Sequence, residues 1–454
     1  MSRSSLVYAR YGTRYTACVA SSVLSLAIAA GAAAQCDPAD SYGVPNSGTS
    51  GDLPLGVGTG DVNNDGNLDV VTGDFFGNSV SILLGNGDGT LQAGVVVPLT
   101  DTVSGFSAAA VPVKTADLNG DGWADIVAGV QSPDLGNPGI AVLINDGTGA
   151  FTSPPEFYAF STQIRGLEIL DLTGDGNLDV VYANRDDDTI NVVPGNGDGT
   201  FGSEAFFDVT GGPVGVAIAD FNNDGNQDVA TPLVFSSEIA ILAGDGAGNL
   251  TELARYPANS PEGIAVGDIN GDGNEDLVIP FLNGDAVEFI LGNGDGTFGS
   301  TQSISTGSGS LPIAIALGDV NGDGFDDIHA GLFIAGNVQV LRSNGDGTFQ
   351  AGVDFPVGAR PRDFAFGDFN GDGANDLAAA NGATSGTATV ILNGCGGVQP
   401  CLADVNGDGA VTPTDFTAWV NAFNNNLPEC DQNGDGACTP TDFTAWVNNF
   451  NAGC

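Results

Sequence analysis

One string governs this chain. The pattern D-x-[NT]-x-D-G-x-x-D occurs seven times before residue 380, beginning at Asp61, Asp117, Asp171, Asp220, Asp268, Asp319 and Asp368, at intervals of 48 to 56 residues. A second string, N-G-D-G-T-[FL], falls between the copies at Asn86, Asn196, Asn293 and Asn344, with degenerate forms at Asn145 and Gly244. A period of this length marks a repeat architecture, and that constraint takes precedence over any local pattern.

Each period has the same grammar. A short apolar stretch such as AIALGDV leads into the acidic loop, and a second such as LDVVTG follows at once. After a turn, a third such as VSILLG runs to the NGDGT turn and a polar-alternating fourth. That makes four strands of about five residues joined by tight turns. One such sheet cannot bury both of its faces, whereas seven set radially can. A linear β-solenoid is the alternative, but four strands and two different turn motifs per unit suit a blade better. The expected fold class is all-β, a seven-bladed β-propeller, followed by a small α-helical module with two loops. The 70 glycines fit this wealth of turns, since no G-X-Y period accompanies them. The seventh copy stops at TATVILNG, short of a fourth strand, and the chain around residues 41–50 has the residues to supply it. Cys36 and Cys395 flank that seam and are expected to form a disulfide, which would stabilise by about 2–4 kcal/mol. Pairing of Cys36 into the C-terminal module is the alternative.

The N-terminus has the form of a secretory signal: Arg3, Arg10 and Arg14, an apolar stretch over residues 17–30, then Ala32-Ala33-Ala34. A membrane anchor is the other possibility, but the stretch is short for a span of about 20 residues. The expected organisation is a signal peptide over 1–34, the propeller over 35–397 and a calcium-binding module over 398–454. Without the signal, seven of the ten basic residues and all 56 acidic ones remain, a net charge of −49. Such a chain does not bind nucleic acid or anionic lipid unaided. Six cysteines also remain, an even number suited to an oxidising compartment, none of them in a C-x-x-C pair. Secretion or display at a cell surface is the expected location.

The acidic strings have the spacing of calcium loops. Calcium takes 6–8 oxygens in flexible geometry. Oxygen side chains at positions 1, 3, 5 and 9 and a main-chain carbonyl at position 7 wrap one ion, and Gly at position 6 allows the turn. In the first copy these are Asp61, Asn63, Asp65, Asn67 and Asp69; in the second, Asp117, Asn119, Asp121, Trp123 and Asp125; in the third, Asp171, Thr173, Asp175, Asn177 and Asp179. The fourth has Asp220, Asn222, Asp224, Asn226 and Asp228, and the fifth Asp268, Asn270, Asp272, Asn274 and Asp276. The sixth has Asp319, Asn321, Asp323, Phe325 and Asp327, and the seventh Asp368, Asn370, Asp372, Ala374 and Asp376. Position 12 is not acidic (Thr72 in the first copy, Ile279 in the fifth) and a strand follows, so these are not EF-hands. A single copy could be a plain Asp/Gly turn; seven in register are not.

This repeat, GDFNGDGxxDL with NGDGTF, resembles the FG-GAP/VCBS family, which includes the integrin α-subunit propeller. The resemblance covers roughly residues 41–394. It implies a seven-bladed propeller whose calcium loops lie on one face and brace the blades, with ligands met on the opposite face.

After Gly397 two near-copies appear, DVNGDGAVTPTDFTAWVNAF from Asp404 and DQNGDGACTPTDFTAWVNNF from Asp431. Their oxygen positions are Asp404, Asn406, Asp408, the carbonyl of Ala410, Thr412 and Asp415, then Asp431, Asn433, Asp435, the carbonyl of Ala437, Thr439 and Asp442. Here position 12 is acidic and a helix follows, with Thr412 and Thr439 as N-caps and Pro413 and Pro440 at the first helical position. Phe416, Trp419, Val420 and Phe423 repeat as Phe443, Trp446, Val447 and Phe450, an apolar helical face. This segment resembles a type I dockerin, which implies two calcium ions and a cohesin-like partner. It departs from the family in Pro413-Thr414 and Pro440-Thr441 at the partner-selecting positions, and in its two tryptophans. Cys401 with Cys454 and Cys430 with Cys438 are the expected pairs. A calcium-stabilised cap without a partner is the alternative role.

The expected function is a secreted, calcium-binding interaction or adhesion protein. Its propeller binds a glycan or protein ligand, and its tail attaches to a surface or scaffold partner. Two other classes stay open: a polysaccharide lyase or hydrolase on a propeller scaffold, and a purely structural surface protein. Catalysis usually recruits His, Lys, Arg or paired carboxylates of shifted pKa, and this chain has one histidine, His329, and one lysine, Lys114, with no G-x-S-x-G. An enzyme is therefore not expected. A ligand site is sought six residues before each first loop Asp, at the start of the innermost strand. Arg165, Glu262 and Arg362 stand there where the other copies have Leu55, Val111, Val214 and Ile313, and Arg360 lies close by. Arg185, Asp186-Asp187-Asp188, Phe75 and Phe76 fall on turns of the same face. A solvated rim is the alternative.

Overall fold

A computed structural model describes residues 42, 46–101, 106–107, 109–131, 139–151, 155–158, 163–383, 386–394, 417–420 and 423. The signal segment, all six remaining cysteines and both C-terminal loops lie outside the described residues, as do their expected disulfides and calcium ligands.

Seven four-stranded antiparallel sheets follow one another along the chain. Blade one consists of Pro54–Gly60, Asp69–Asp74, Ser79–Leu83 and Val95–Pro98. Each later blade repeats that order up to the seventh, which supplies only Pro361–Gly367, Asp376–Asn381 and Thr387–Ile391. Its fourth strand is Asn46–Thr49, antiparallel to Thr387–Ile391 with Asn46 opposite Val390. The N-terminal segment thus closes the ring, as the truncated seventh copy required. The seam is reinforced by buried Tyr42, whose hydroxyl lies 2.9 Å from His329 Nε2. Burial pulls the His329 pKa down to about 4, so it is a neutral structural residue.

Second strands are buried on both faces and accordingly read as continuous apolar runs such as DVVTGD and DVVYAN. Outer strands are half solvated and alternate. The core is divided among blade junctions. Val71, Ile82 and Leu99 of blade one pack with Val113, Ile126 and Leu143 of blade two. Val57, Val70 and Leu83 pack with Ala378, Ala380 and Val390 of blade seven, so the first and last blades share a core like any other pair. Innermost strands approach each other closely around the axis. A Cβ on Gly166 would sit 2.7 Å from the Gly215 Cα, which explains glycine at that column.

One element has no counterpart in the repeat grammar. Thr100–Asp101 pairs with Phe106–Ser107 between blades one and two, and this excursion accounts for the longest interval.

Candidate functional site

The strand order sends each acidic loop to one face of the ring, between the first and second strands of a blade. The NGDGT turn, between the third and fourth strands, lies on that same face. In the first loop, Asp65 and Gly66 donate their backbone N–H groups to Asp61 at 3.1 and 2.8 Å, and Asp65 N–H also donates to Asn63 Oδ1 at 2.9 Å. These bonds draw the oxygens of positions 1, 3 and 5 into one loop. The fifth and seventh copies repeat them. Positions 4 and 6 are left-handed: Gly271 and Gly273 have φ of 74° and 80°, and Asn64 takes the place of the first Gly at φ 56°. Glycine, with asparagine at position 4, suits such φ values.

Position 9 is different. Asp276 is fully buried and accepts Ile269 N–H at 3.1 Å on one oxygen and Gly292 N–H at 2.7 Å on the other. The same pair of bonds recurs at Asp69 and Asp376. This carboxylate therefore ties the loop to the strand-three turn of its own blade. Burial pushes the pKa of Asp276 and Asp327 up to about 7 and of Asp69 and Asp376 up to about 6, and the carboxylates of loop positions 1 and 5 push the same way. A divalent cation in the loop would oppose that push. Among the described residues no three His, Cys, Asp or Glu side chains gather as a metal cluster. Each loop offers two carboxylates and an amide at positions 1, 3 and 5 (a Thr hydroxyl at position 3 in the third copy) and one carboxylate turned into the blade. An oxygen-only donor set in a closed loop fits a hard cation, and each position 9 oxygen keeps a lone pair beyond its N–H bond.

The second motif also ties blades together. Gly89 N–H donates to Phe369 O at 3.0 Å and Gly296 N–H to Phe221 O at 2.8 Å, each reaching position 2 of the preceding blade's acidic loop. Asn145 and Ser343 do this by side chain, to Val62 O and Ile269 O, both at 2.7 Å.

On the opposite face the innermost strands begin. The seven residues placed six before each first loop Asp converge there: Leu55, Val111, Arg165, Val214, Glu262, Ile313 and Arg362 all line one axial cavity of about 170 Å³. A second cavity of about 530 Å³ adjoins it along the axis at Lys114, Glu168, Val216 and Ile264. Lys114 Nζ lies 2.8 Å from Glu168 Oε1. Burial works against the Lys114 charge, but Glu168 and Asp363 outweigh it and hold its pKa above the usual value. Asp363 accepts Val57 N–H and Phe364 N–H, both at 3.0 Å, and burial pushes its pKa up to about 6.

Arg362 lies over the Phe333 ring at 4.6 Å and Arg360 at 5.5 Å. Arg360 is left-handed at φ 62°, like Leu53, Ser260 and Leu311 before the prolines that open other blades. Burial lowers the pKa of both Arg165 and Arg362; Arg185 adds to this at Arg165, and Arg360 at Arg362. Glu262 is raised by burial and lowered by Arg165, Arg185 and Arg362. The expected ligand residues are therefore electrostatic neighbours, and Arg185 joins them from the turn of blade three.

Sequence reasoning missed the axial trio Lys114, Glu168 and Asp363. Its signal was present: three residues before the loop the other copies carry only Gly or Ala, and five before it only Gly, Pro or Ala.

The FG-GAP-like repeat model matches residues 61–128, 117–182, 171–231, 268–330 and 332–379. The dockerin type I domain model matches residues 402–451. No match is found among curated proteins. Among solved structures, the crystal structure of BBS1N in complex with ARL6DN, soaked with mercury, is similar at TM-score 0.51 and 14% identity, over 78% of this chain and 96% of that one. A lead-soaked crystal of the same complex gives 0.51 and 13%, over 78% and 97%. A lectin of Agrocybe aegerita, described as recognising non-reducing terminal N-acetylglucosamine, gives 0.48 and 21%, over 76% and 86%. No helix among the described residues is long and apolar enough to cross a membrane.

Proposed function

We propose, from the premise that the chain belongs to the FG-GAP-like repeat family and carries a type I dockerin domain, that it is a secreted interaction protein. Its propeller receives a glycan or protein ligand on the face away from the acidic loops. Its dockerin domain attaches the molecule to a cohesin-like partner on a surface or scaffold.

The observation that carries this reading is the contrast within the innermost strands. Three of the seven side chains that line the axial mouth are charged, and two of these are arginines, in a chain whose residues after 34 carry a net charge of −49. The acidic loops serve the scaffold. Side-chain oxygens of positions 1, 3 and 5 and the position 7 carbonyl would hold one ion per loop, and the ion would supply the positive charge that crowded carboxylates need. Seven such ions and two in the dockerin domain would bring the net charge from −49 to about −31.

The test is a screen of the calcium-loaded protein against glycans and extracellular matrix proteins, repeated with an Arg165→Ala/Arg362→Ala double variant. A bound ligand that the double variant loses supports the axial face. Equal binding by both proteins dismisses it. Retention by a cohesin module that disappears when residues 398–454 are removed tests the attachment role.

A further inference from the structure

Five of the seven basic residues beyond residue 34 gather around one opening. Lys114, Arg165 and Arg362 line the axial cavity, Arg360 shares the Phe333 ring with Arg362, and Arg185 acts electrostatically on Arg165. The other two are placed elsewhere: Arg255 clamps Val209 O and Thr210 O beside Glu238 and Glu252, and Arg342 is buried. Chance does not concentrate scarce cations in this way on a chain with 56 acidic residues.

The two mouth arginines are also unspent. Among the described residues the ion pairs within 4 Å involve Lys114, Arg185 and Arg255, not Arg165 or Arg362. The Nε of each is buried and has no hydrogen-bond partner. Arg165 makes a single long bond, Nη2 to Gln163 Oε1 at 3.3 Å. A buried donor left unmade costs about 1–3 kcal/mol, so two arginines that line one cavity and each keep an unmade Nε donor mark a place for an acceptor from outside. Guanidinium groups match the planar, two-oxygen geometry of a carboxylate.

We propose that the axial mouth binds one carboxylate-bearing sugar residue, a uronate, with the carboxylate received by Arg165 and Arg362. This inference rests on the proposed binding function and names its ligand class. Glu262 decides against a bare anion: it lines the same cavity, where it can accept a hydroxyl hydrogen of the ligand. At about 170 Å³ the mouth is of the scale of one sugar residue. An extended polyanion would also meet the Asp186-Asp187-Asp188 turn. Outside the cavity, exposed Phe235 lies beneath the Arg185 guanidinium at 5.9 Å, and Phe76 is exposed on a turn of blade one; both are apolar surfaces a larger glycan could use.

The test is titration of the full-length, calcium-loaded protein with glucuronate, glucose and N-acetylglutamate, followed by calorimetry and ligand-detected NMR. Glucuronate is expected to bind at least about tenfold more tightly than glucose, since one charge-assisted bond is worth about that factor, and more tightly than N-acetylglutamate, which has the carboxylate but no ring hydroxyls for Glu262. Arg165→Gln and Arg362→Gln should each lose at least tenfold, and Arg362→Lys, which keeps the charge and loses the fork, an intermediate amount. Arg255→Gln removes a cation elsewhere and should bind as the parent does. Melting curves in calcium establish that each variant is folded.

Glucose binding as tightly as glucuronate overturns the proposal, as does undiminished binding by both Gln variants. N-acetylglutamate binding equally well replaces the sugar with a carboxylate on a peptide. A glycan or matrix ligand that survives both Arg substitutions but is lost from Phe76→Ser or Phe235→Ser leaves the wider binding function standing and removes only this site.

Discussion

The two faces of the ring are built from the same seven repeats and treat them in opposite ways. On the loop face every copy has Asp at positions 1, 5 and 9 and Gly at position 6. On the axial face the corresponding column runs Leu55, Val111, Arg165, Val214, Glu262, Ile313, Arg362. A column that is identical seven times meets a demand that is identical seven times, namely closing a loop and bracing a blade. A column that differs copy by copy is free of that demand, and its exceptions can serve a single asymmetric ligand on the axis.

Removing metal should affect the loop face far more than the axial face. If the loop face is a calcium scaffold, chelation should lower the melting temperature by more than about ten degrees. At about millimolar affinity each filled loop adds roughly 1–2 kcal/mol in 10 mM calcium, and seven add on the order of 10 kcal/mol. Differential scanning calorimetry in EDTA and in calcium measures this, and superimposable melts would remove calcium from the scaffold.

How much of this was legible follows from the same contrast. Period, strand count, ring closure and loop positions could be read because each is repeated, and repetition separates signal from accident. The pairing of Asn46–Thr49 with the last blade was legible as a missing strand at Thr387–Ile391. The role of position 9 was not. Asp69 looks like a fifth ligand by spacing, while one of its two backbone bonds comes from Gly85, in a turn 16 residues further on. The Lys114–Glu168–Asp363 group left a trace as charges in columns of small residues, but its meeting was not legible, since its members come from three blades brought to one axis. Arg165, Glu262 and Arg362 could be found because they break an apolar column.

Position 9 gives the next largest effect. Asp276→Ala leaves Ile269 N–H and Gly292 N–H without acceptors at a buried site and should cost about 2–4 kcal/mol, seen as a lowered denaturation midpoint in saturating calcium. Asp272→Ala, on the exposed rim of the same loop, should cost less in saturating calcium and weaken calcium binding instead. Equal losses would mean that the two positions do not divide the work.

A pH dependence distinguishes the axial charges. Asp363 has a folded pKa of about 6, raised by burial above its unfolded value near 4. It holds its proton more tightly when folded, so folding is favoured at low pH, and that advantage fades as pH rises from about 4 through 6. Asp363→Asn lacks the titrating proton. The stability of the variant minus that of the parent should therefore rise between pH 4.5 and 8, by up to about 2–3 kcal/mol. Lys114 limits the rise by attracting the carboxylate. A difference that stays constant with pH would show that Asp363 does not titrate in this range.

The smallest effect is the most telling. Arg165→Gln and Arg362→Gln each remove a buried, unpartnered Nε and one member of a like-charged group. Each should change stability by less than about 1 kcal/mol, and in the stabilising direction, because the parent bears a desolvation cost that the nearby Glu262 offsets only in part. Arg362→Gln also gives up the Phe333 ring contact, worth about 0.5–1 kcal/mol, so its gain should be the lesser of the two. Chemical denaturation in calcium measures both. Scaffold residues lose stability when replaced, whereas a side chain kept for an external ligand gives stability back. A loss of 2 kcal/mol or more on Arg165→Gln would place that residue with the scaffold and erase the difference between the two faces.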